Sequence, residues 1–392
     1  DLTIHYNGRR PKVRARIFIN NLKLHSGQLY SYDNYLQSAN KLGSNSVFAM
    51  VDFQFTPRDS SQTCDTLDLA LNCLLDKPYD FYVETNMKGK TSGYLGPELV
   101  VGFTKRNAFR GGEKLDINLK GSYDWQIGRR NDGAKSGLHS YSYGGDASLE
   151  LPRLLLPFFH KRTFYTTPST VLKASTEVIN RAVYFKRHIV AGQLTYNFQP
   201  NPVSLHEVSP LILQYEFMTS RSAEYIRLEQ NNPYLKVSMA DQLIPKMRYA
   251  YTYTSPANYA NPIRWEAMVS ESANLLSLGY IISGRKWATK NKRLFKNPYA
   301  QFVKIETGLR KTWRVGARSQ MVAYADAGIA WSYGNSSAVP YSEQFYVGGA
   351  NSIRAFSVRS IGPGRYHTDN SRMAYLDHTG DIKFQANIEY RP

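Results

Sequence analysis

The chain has 392 residues, long enough for more than one domain, and carries 49 basic against 31 acidic side chains for a formal net charge of +18. No run approaches the ~18 consecutive apolar residues that a membrane-spanning helix needs, which excludes a helical membrane protein. With 29 Tyr and 18 Phe, many short runs and little sustained helical period, the composition points to β structure. A hydrophobic face diluted by alternation is also how a membrane β-barrel looks in sequence.

The basic residues are spread along the chain except at 285–296, RKWATKNKRLFK, which holds six cations and no acid. No nucleic-acid-binding motif accompanies them, so phosphate-bearing lipid or a plain solvated surface is the expectation, not nucleic acid. Cys64 and Cys73 are the two cysteines. If 66–74 is one strand they lie ~30 Å apart, too far to bridge. Asp1 opens directly into a strand-like run with no signal peptide, so a mature fragment with something missing upstream is expected.

Residues 1–76 read as a small mixed module. Leu2, Ile4 and Tyr6 alternate before the Asn7-Gly8 turn. The segment 11–24 has Val13, Ile17, Phe18 and Leu22 at helical spacing, and Pro11 suits a first helical position. A second helix is predicted over 32–42, with Ser31 as its cap, Gly43 as its stop and Tyr32, Tyr35, Leu36, Ala39 and Leu42 as its apolar stripe. Two alternating strands follow, through Ala49, Val51, Phe53 and Phe55 and through Leu67, Leu69, Leu71 and Cys73. The predicted order is β-α-α-β-β.

From Lys77 onward the pattern changes to alternating segments of about the ~9–11 residues that a tilted barrel strand needs. In 114–126, Leu115, Ile117, Leu119, Gly121, Tyr123 and Trp125 oppose Asp116, Asn118, Lys120, Ser122, Asp124 and Gln126. In 382–390, Ile382, Phe384, Ala386, Ile388 and Tyr390 oppose Lys383, Gln385, Asn387 and Glu389. A packed core would not take so many charges and amides on one face; a watery lumen would. Tyr123, Trp125, Trp313 and Trp331 near strand ends suit interfacial girdles. Twelve strands are predicted, at 79–88, 96–106, 113–126, 140–151, 169–181, 187–198, 209–218, 246–254, 262–274, 299–311, 317–331 and 381–390. Short connections alternate with long ones, and the boundaries between 275 and 298 are soft. The apolar 154–159, LLLPFF, reads equally as a membrane-rim foot or a packed turn.

The segment 332–378 is about three times longer than an unstructured loop inside a domain normally is. Its centre, 345–363, FYVGGANSIRAFSVRSIGP, carries apolar bulk, bend-permitting glycines and two arginines, Arg354 and Arg359. Such a composition argues against disorder and for a loop that folds into a cavity and anchors there.

With module, strands and loop placed, the chain resembles the BamA/TamA superfamily of outer-membrane assembly proteins: a periplasmic POTRA module followed by a barrel. The turn 105–113, KRNAFRGGE, is similar to the family's first periplasmic turn. Ile353-Arg354-Ala355-Phe356, with Gly348 and Gly349 before it and Ile361-Gly362-Pro363 after it, resembles the motif of the inward-folded loop. The segment 76–86, DKPYDFYVETN, is most similar to the TamA-like branch of Bacteroidota, often called TamL. Ala355 stands where that motif has Gly, so a positive φ is not expected there. The family's barrel has sixteen strands and this chain shows twelve, so a barrel open on one side is expected.

The resemblance implies that Arg354 sits at the loop tip inside the lumen and pairs with Glu389 on the wall. It also implies that the first strand, with Tyr79, Phe81, Val83, Thr85 and Met87 on one face, borders a lateral seam that can template an incoming strand. The implied partners are outer-membrane lipids and lipopolysaccharide, client outer-membrane proteins, and periplasmic or lipoprotein helper subunits, with no cofactor. The location implied is the outer membrane of a Gram-negative bacterium, the module in the periplasm. A two-partner secretion channel shares module and loop and stays open as an alternative. An outer-membrane enzyme would need a nucleophile and a base, and no G-x-S-x-G, H-E-x-x-H or paired Cys-x-x-Cys is present.

Overall fold

A computed structural model describes residues 3–6, 11–59, 65–90, 94–126, 139–155, 164–181, 184–231, 233–284, 286–287, 289–290, 292–349, 352–356, 359, 361–362, 364 and 379–392. The predicted alternating segments pair into one twelve-stranded antiparallel sheet. In chain order its strands are β3 (Tyr79–Lys90), β4 (Tyr94–Arg106), β5 (Lys114–Gln126), β6 (His139–Leu151), β7 (Ser169–Arg181), β8 (Phe185–Asn201) and β9 (Ser204–Arg221). They continue with β10 (Gln242–Thr254), β11 (Ile263–Ser272), β14 (Phe302–Arg314), β15 (Gln320–Ser332) and β16 (Ile382–Arg391). A separate two-residue hairpin, β12 (Arg293–Leu294) and β13 (Asn297–Pro298), lies in the connection after β11. Each strand pairs with its neighbours in sequence, and the sheet does not close: β3 and β16 are its two edges.

Side-chain chemistry sorts by face. Ile382, Phe384, Ile388 and Tyr390 of β16 and Ile329 and Trp331 of β15 are exposed on one face. The other face is wired together by polar contacts across strands. Tyr82 donates to Asn118 at 2.9 Å, Asn118 to Asp146 at 3.2 Å, and Thr104 to Asp116 at 2.6 Å. Ion pairs Lys120–Glu177 (3.1 Å), Lys173–Asp146 (3.6 Å), Arg181–Asp124 (3.8 Å) and Lys383–Asp326 (2.5 Å) continue the pattern around the sheet. At one end Arg187 is buried against Glu216. Each of these is the strand period of two acting on an alternating sequence.

Ahead of the sheet, helices α1 (Arg16–Asn21) and α2 (Tyr32–Gly43) pack on a hairpin of β1 (Phe48–Pro57) and β2 (Leu67–Leu75). Their core is Ile17, Leu42, Val47 and Phe48. Ser31 caps α2 as predicted, accepting from the Asn34 N–H at 3.4 Å. Gly43 is the last helical residue, with Ser44 the C-cap in right-handed conformation, so no glycine stop operates. Two expectations need correction. Residues 3–6 form no strand and pair with none among the described residues, and their neighbours 1–2 and 7–10 lie outside the described residues. The first helix starts at Arg16, not Pro11, because the chain before it docks on the β4–β5 turn: the Arg14 N–H donates to the Arg110 carbonyl (2.8 Å) and Asn107 to the Lys12 carbonyl (2.8 Å). Thr167 adds a bond to Asn21 at 2.9 Å. The module therefore sits on the rim that carries the β4–β5 and β6–β7 connections. Cys73 is a free thiol half-buried in the module; Cys64 lies outside the described residues.

The long connections gather at the opposite rim. That after β9 contains α3 (Ala223–Asn231) and α4 (Pro233–Ser238), and that after β11 opens with α5 (Asn274–Ile282), where the sequence showed only soft boundaries. Leu154 and Leu155 form no regular element, and 156–159 lie outside the described residues.

Lys41 is 4 % exposed at the inner side of α2, and burial together with the nearby Lys23 charge pushes its pKa down to about 8 from 10.5. The unfolded module then binds more protons than the folded one between those values, so stability rises with pH across that window. Calorimetry of the full chain from pH 7 to 10.5 is expected to show the module transition moving to higher temperature. The Lys41→Met variant is expected to melt higher at pH 7 and to lose that pH dependence.

Candidate functional site

The connection between β15 and β16 is the one the sequence singled out. It leaves β15 through a short 3-10 turn, Tyr341–Glu343. Phe345 then forms an isolated bridge with Gly380, and Val347 one with Ile361, so the segment doubles back as a narrow hairpin. Gly348 (φ 101°) and Gly349 (φ 97°) make the bend, a region where a side chain would be strained. The bend is closed by bonds from the Gly348 N–H to Ser352 Oγ (3.1 Å) and from the Gly349 N–H to the Phe356 carbonyl (2.8 Å).

Four contacts fasten this loop to the polar face of the sheet. Phe345 is buried with Ala330 and Val339, and its ring lies so close over Gly328 of β15 that a Cβ there would stand 2.6 Å from it. The Lys304 ammonium of β14 sits 4.5 Å from the same ring centroid. Glu343 pairs with Lys246 of β10. Ser352 donates to Gln385 of β16 at 2.6 Å, and Gln385 is itself buried.

The arginine enclosed by the loop is Arg359. Its guanidinium stacks between Tyr341 and Tyr346, 4.6 and 4.7 Å from their ring centroids, and donates to the Tyr341 hydroxyl. Arg359 adopts φ 62°, unusual for a side-chain-bearing residue, and is held there by its N–H bond to the Val347 carbonyl at 2.9 Å. Burial pushes the Tyr341 phenol upward in pKa, and the Arg359 charge pulls it part of the way back. Tyr341 also joins Tyr184, Phe185, Tyr225 and Met239 in one buried cluster, which ties the loop to the start of β8 and to the helical connection after β9.

The family-motif residues are placed as follows. Ile353 is half-buried and its carbonyl accepts from the Phe356 N–H at 3.1 Å. Arg354, Ala355 and Phe356 are exposed, and Ala355 is not among the residues with positive φ. Among the described residues no ion pair joins Arg354 to Glu389; Glu389 pairs with Arg391, two positions along the same face of β16, at 3.1 Å. The Arg354 charge acts on the Glu389 carboxylate from beyond ion-pair distance, and the direct contacts that hold the loop are the Arg359–tyrosine stack and the Ser352–Gln385 bond. Arg359 was visible in sequence as a second cation among apolar residues, but its tyrosine partners come together only through the fold.

At the other edge, β3 pairs with β4 alone. Tyr79, Phe81, Val83, Thr85 and Met87 are exposed along one face of it. Tyr79 stacks on Phe103 at 6.1 Å, with Lys105 5.7 Å above its ring.

Residues 216–392 match the Omp85 superfamily domain. The fold is similar to that of BamA from Haemophilus ducreyi lacking POTRA domains 1–3, with a TM-score of 0.61 at 13% identity over 96% of this chain and 64% of that one. It is also similar to CdiB from Escherichia coli, with a TM-score of 0.51 at 12% identity over 88% of this chain and 56% of that one. The chain thus spans somewhat under two thirds of the length of either structure. No curated protein matches it in sequence. The domain match thus covers the second part of the chain, and the likeness to the two solved structures is one of fold.

If the Phe345 and Arg359 contacts hold the loop, their removal loosens it and removal of Arg354 does not. Gly328→Ala forces the Phe345 ring off the wall at a cost of about 1–3 kcal/mol. Arg359→Ala removes a desolvated cation–π stack of about 2 kcal/mol. Hydrogen exchange of peptides covering 341–361 is expected to rise in both variants and to match wild type in Arg354→Ala.

Proposed function

We propose that this chain is the membrane part of an outer-membrane protein assembly factor, which inserts or translocates client proteins through a seam bordered by β3. The sheet is read as a lipid-embedded wall of a Gram-negative outer membrane, with the polar face toward a lumen and the module rim toward the periplasm. The single observation that carries the reading is the loop before β16, seated on the polar face of the sheet through Phe345 over Gly328, Glu343 on Lys246 and Ser352 on Gln385, with the module docked on the β4–β5 turn at the rim.

Unpaired strand amides and carbonyls cost several kcal/mol each in hydrocarbon. A β3 edge released toward lipid would therefore take up an extended segment of a client by strand addition, with Tyr79, Phe81, Val83 and Met87 on the lipid side. The module, docked on the 107–113 turn, would hold clients or helper subunits next to that edge. Within the superfamily, the 76–86 segment and the loop sequence favour the TamA-like branch of Bacteroidota. A dedicated two-partner secretion channel is the second reading, favoured by the fold shared with CdiB.

A photo-crosslinking amino acid at Val83, in cells expressing the full-length protein, separates these. Adducts with several different outer-membrane barrel proteins are expected. Adducts with one exported protein alone would establish the secretion reading, and adducts confined to the protein's own strands would refute a seam at β3.

A further inference from the structure

The connection after β11 has features that neither the loop nor the seam uses. Ala273, in left-handed conformation (φ 62°), turns the chain out of β11 and starts α5. One side of α5 is seated: Leu276 and Tyr280 pack on Leu243 and Tyr299, together with Leu213 and Tyr215. Tyr215 and Leu243 are cross-strand partners. They stand on the face opposite Glu216 and Gln242, so α5 lies against the outer, apolar face of the sheet. Its other side carries Leu275, Leu278 and Ile282, which are 65%, 50% and 81% exposed. That spacing is one stripe of a helix, and the stripe continues the apolar face of the wall.

Beyond α5 the β12–β13 hairpin turns through Phe295 (φ 50°) and Lys296 (φ 68°). Two left-handed residues in a two-residue turn normally demand Asn or Gly. A Phe-Lys tip held there is strained, and the strain thrusts out a 77% exposed aromatic ring beside a cation. Lys286, Lys290, Arg293 and Lys296 are all exposed around the tip. Among the described residues none of them is paired with a carboxylate, and Lys290 donates only to Ser337 Oγ at 2.8 Å.

We propose that α5 and this hairpin form a docking surface for a phosphate-bearing acylated lipid of the leaflet at the loop rim. The inference rests on the membrane-spanning reading above. Leu275, Leu278, Ile282 and Phe295 enter the acyl region beside the barrel wall, and Arg293 and Lys296 meet the headgroup phosphates. An acidic protein partner would satisfy the cations but would leave the apolar stripe without a purpose. A simple anion site would need neither the helix nor the exposed ring. Surface-level cations and a flanking apolar helix are together what an anionic lipid interface recognises.

The test is titration of the detergent-purified full chain with lipid A, a doubly phosphorylated acylated disaccharide, followed by native mass spectrometry. At about fivefold per cation, R293Q/K296Q is expected to weaken binding about 25-fold. R293K keeps it, and L278N/I282N weakens it with the net charge unchanged. Heat-modifiable electrophoretic mobility reports that the sheet is folded in every variant. Equal binding by wild type, R293Q/K296Q and L278N/I282N would overturn the proposal. So would displacement of lipid A by millimolar inorganic phosphate. Crosslinking from Val83 in the same variants keeps the two readings apart: lipid binding lost with client adducts intact supports the surface, and lipid binding retained without client adducts counts against the seam alone.

Discussion

On the proposed membrane-spanning reading, one constraint governs the sheet: in hydrocarbon every backbone hydrogen-bonding group needs a partner, and no charge can face outward unpaired. The antiparallel ladder from β3 to β16 meets the first half of it, except at its two edges. The alternation of the sequence meets the second. Every ion pair named on the wall, from Lys120–Glu177 to Lys383–Asp326, lies on the polar face. The opposite face presents residues such as Leu119, Ile329, Trp331 and Ile388. A one-residue slip of any strand would move its charges to the apolar face, so the polar network fixes the register.

The loop between β15 and β16 uses that polar wall as its seat. Its fastening is distributed over an aromatic ring on a glycine, a cation between two tyrosines, a Lys–Glu pair and a Ser–Gln bond. No one of these is strong, and they attach to β10, β14, β15 and β16. A loop held in this way moves only if several strands shift together.

The strands are legible because period-two alternation over ten or more residues is unambiguous when one face is charged; the expected 169–181 matches to the residue, and the largest departure is at β9, which begins at Ser204 instead of 209. Short or two-sided elements were not. Residues 3–6 alternate, but four residues make a strand only where a partner edge exists. The α5 sequence, NLLSLGYII, is apolar both on the side seated on Leu243 and Tyr299 and on the exposed side, so it lacks the polar stripe by which a surface helix is recognised. The start of α1 was set by hydrogen bonds to a turn almost a hundred residues away. Among site residues, the glycine bend was readable from its composition. The partners of the enclosed arginine were not, since Tyr341 and Tyr346 meet Arg359 only when the hairpin of 347–361 is formed.

Substituted-cysteine accessibility along β5, in outer membranes carrying the full-length protein, tests the central claim most directly. With Cys placed one at a time from 115 to 124, a water-soluble maleimide should label positions 116, 118, 120, 122 and 124. Positions 115, 117, 119 and 123 should react only with a lipid-soluble reagent. Labelling of both sets alike, or of the odd positions by the water-soluble reagent, would mean that the apolar face meets water, and the lipid-embedded wall would have to be abandoned.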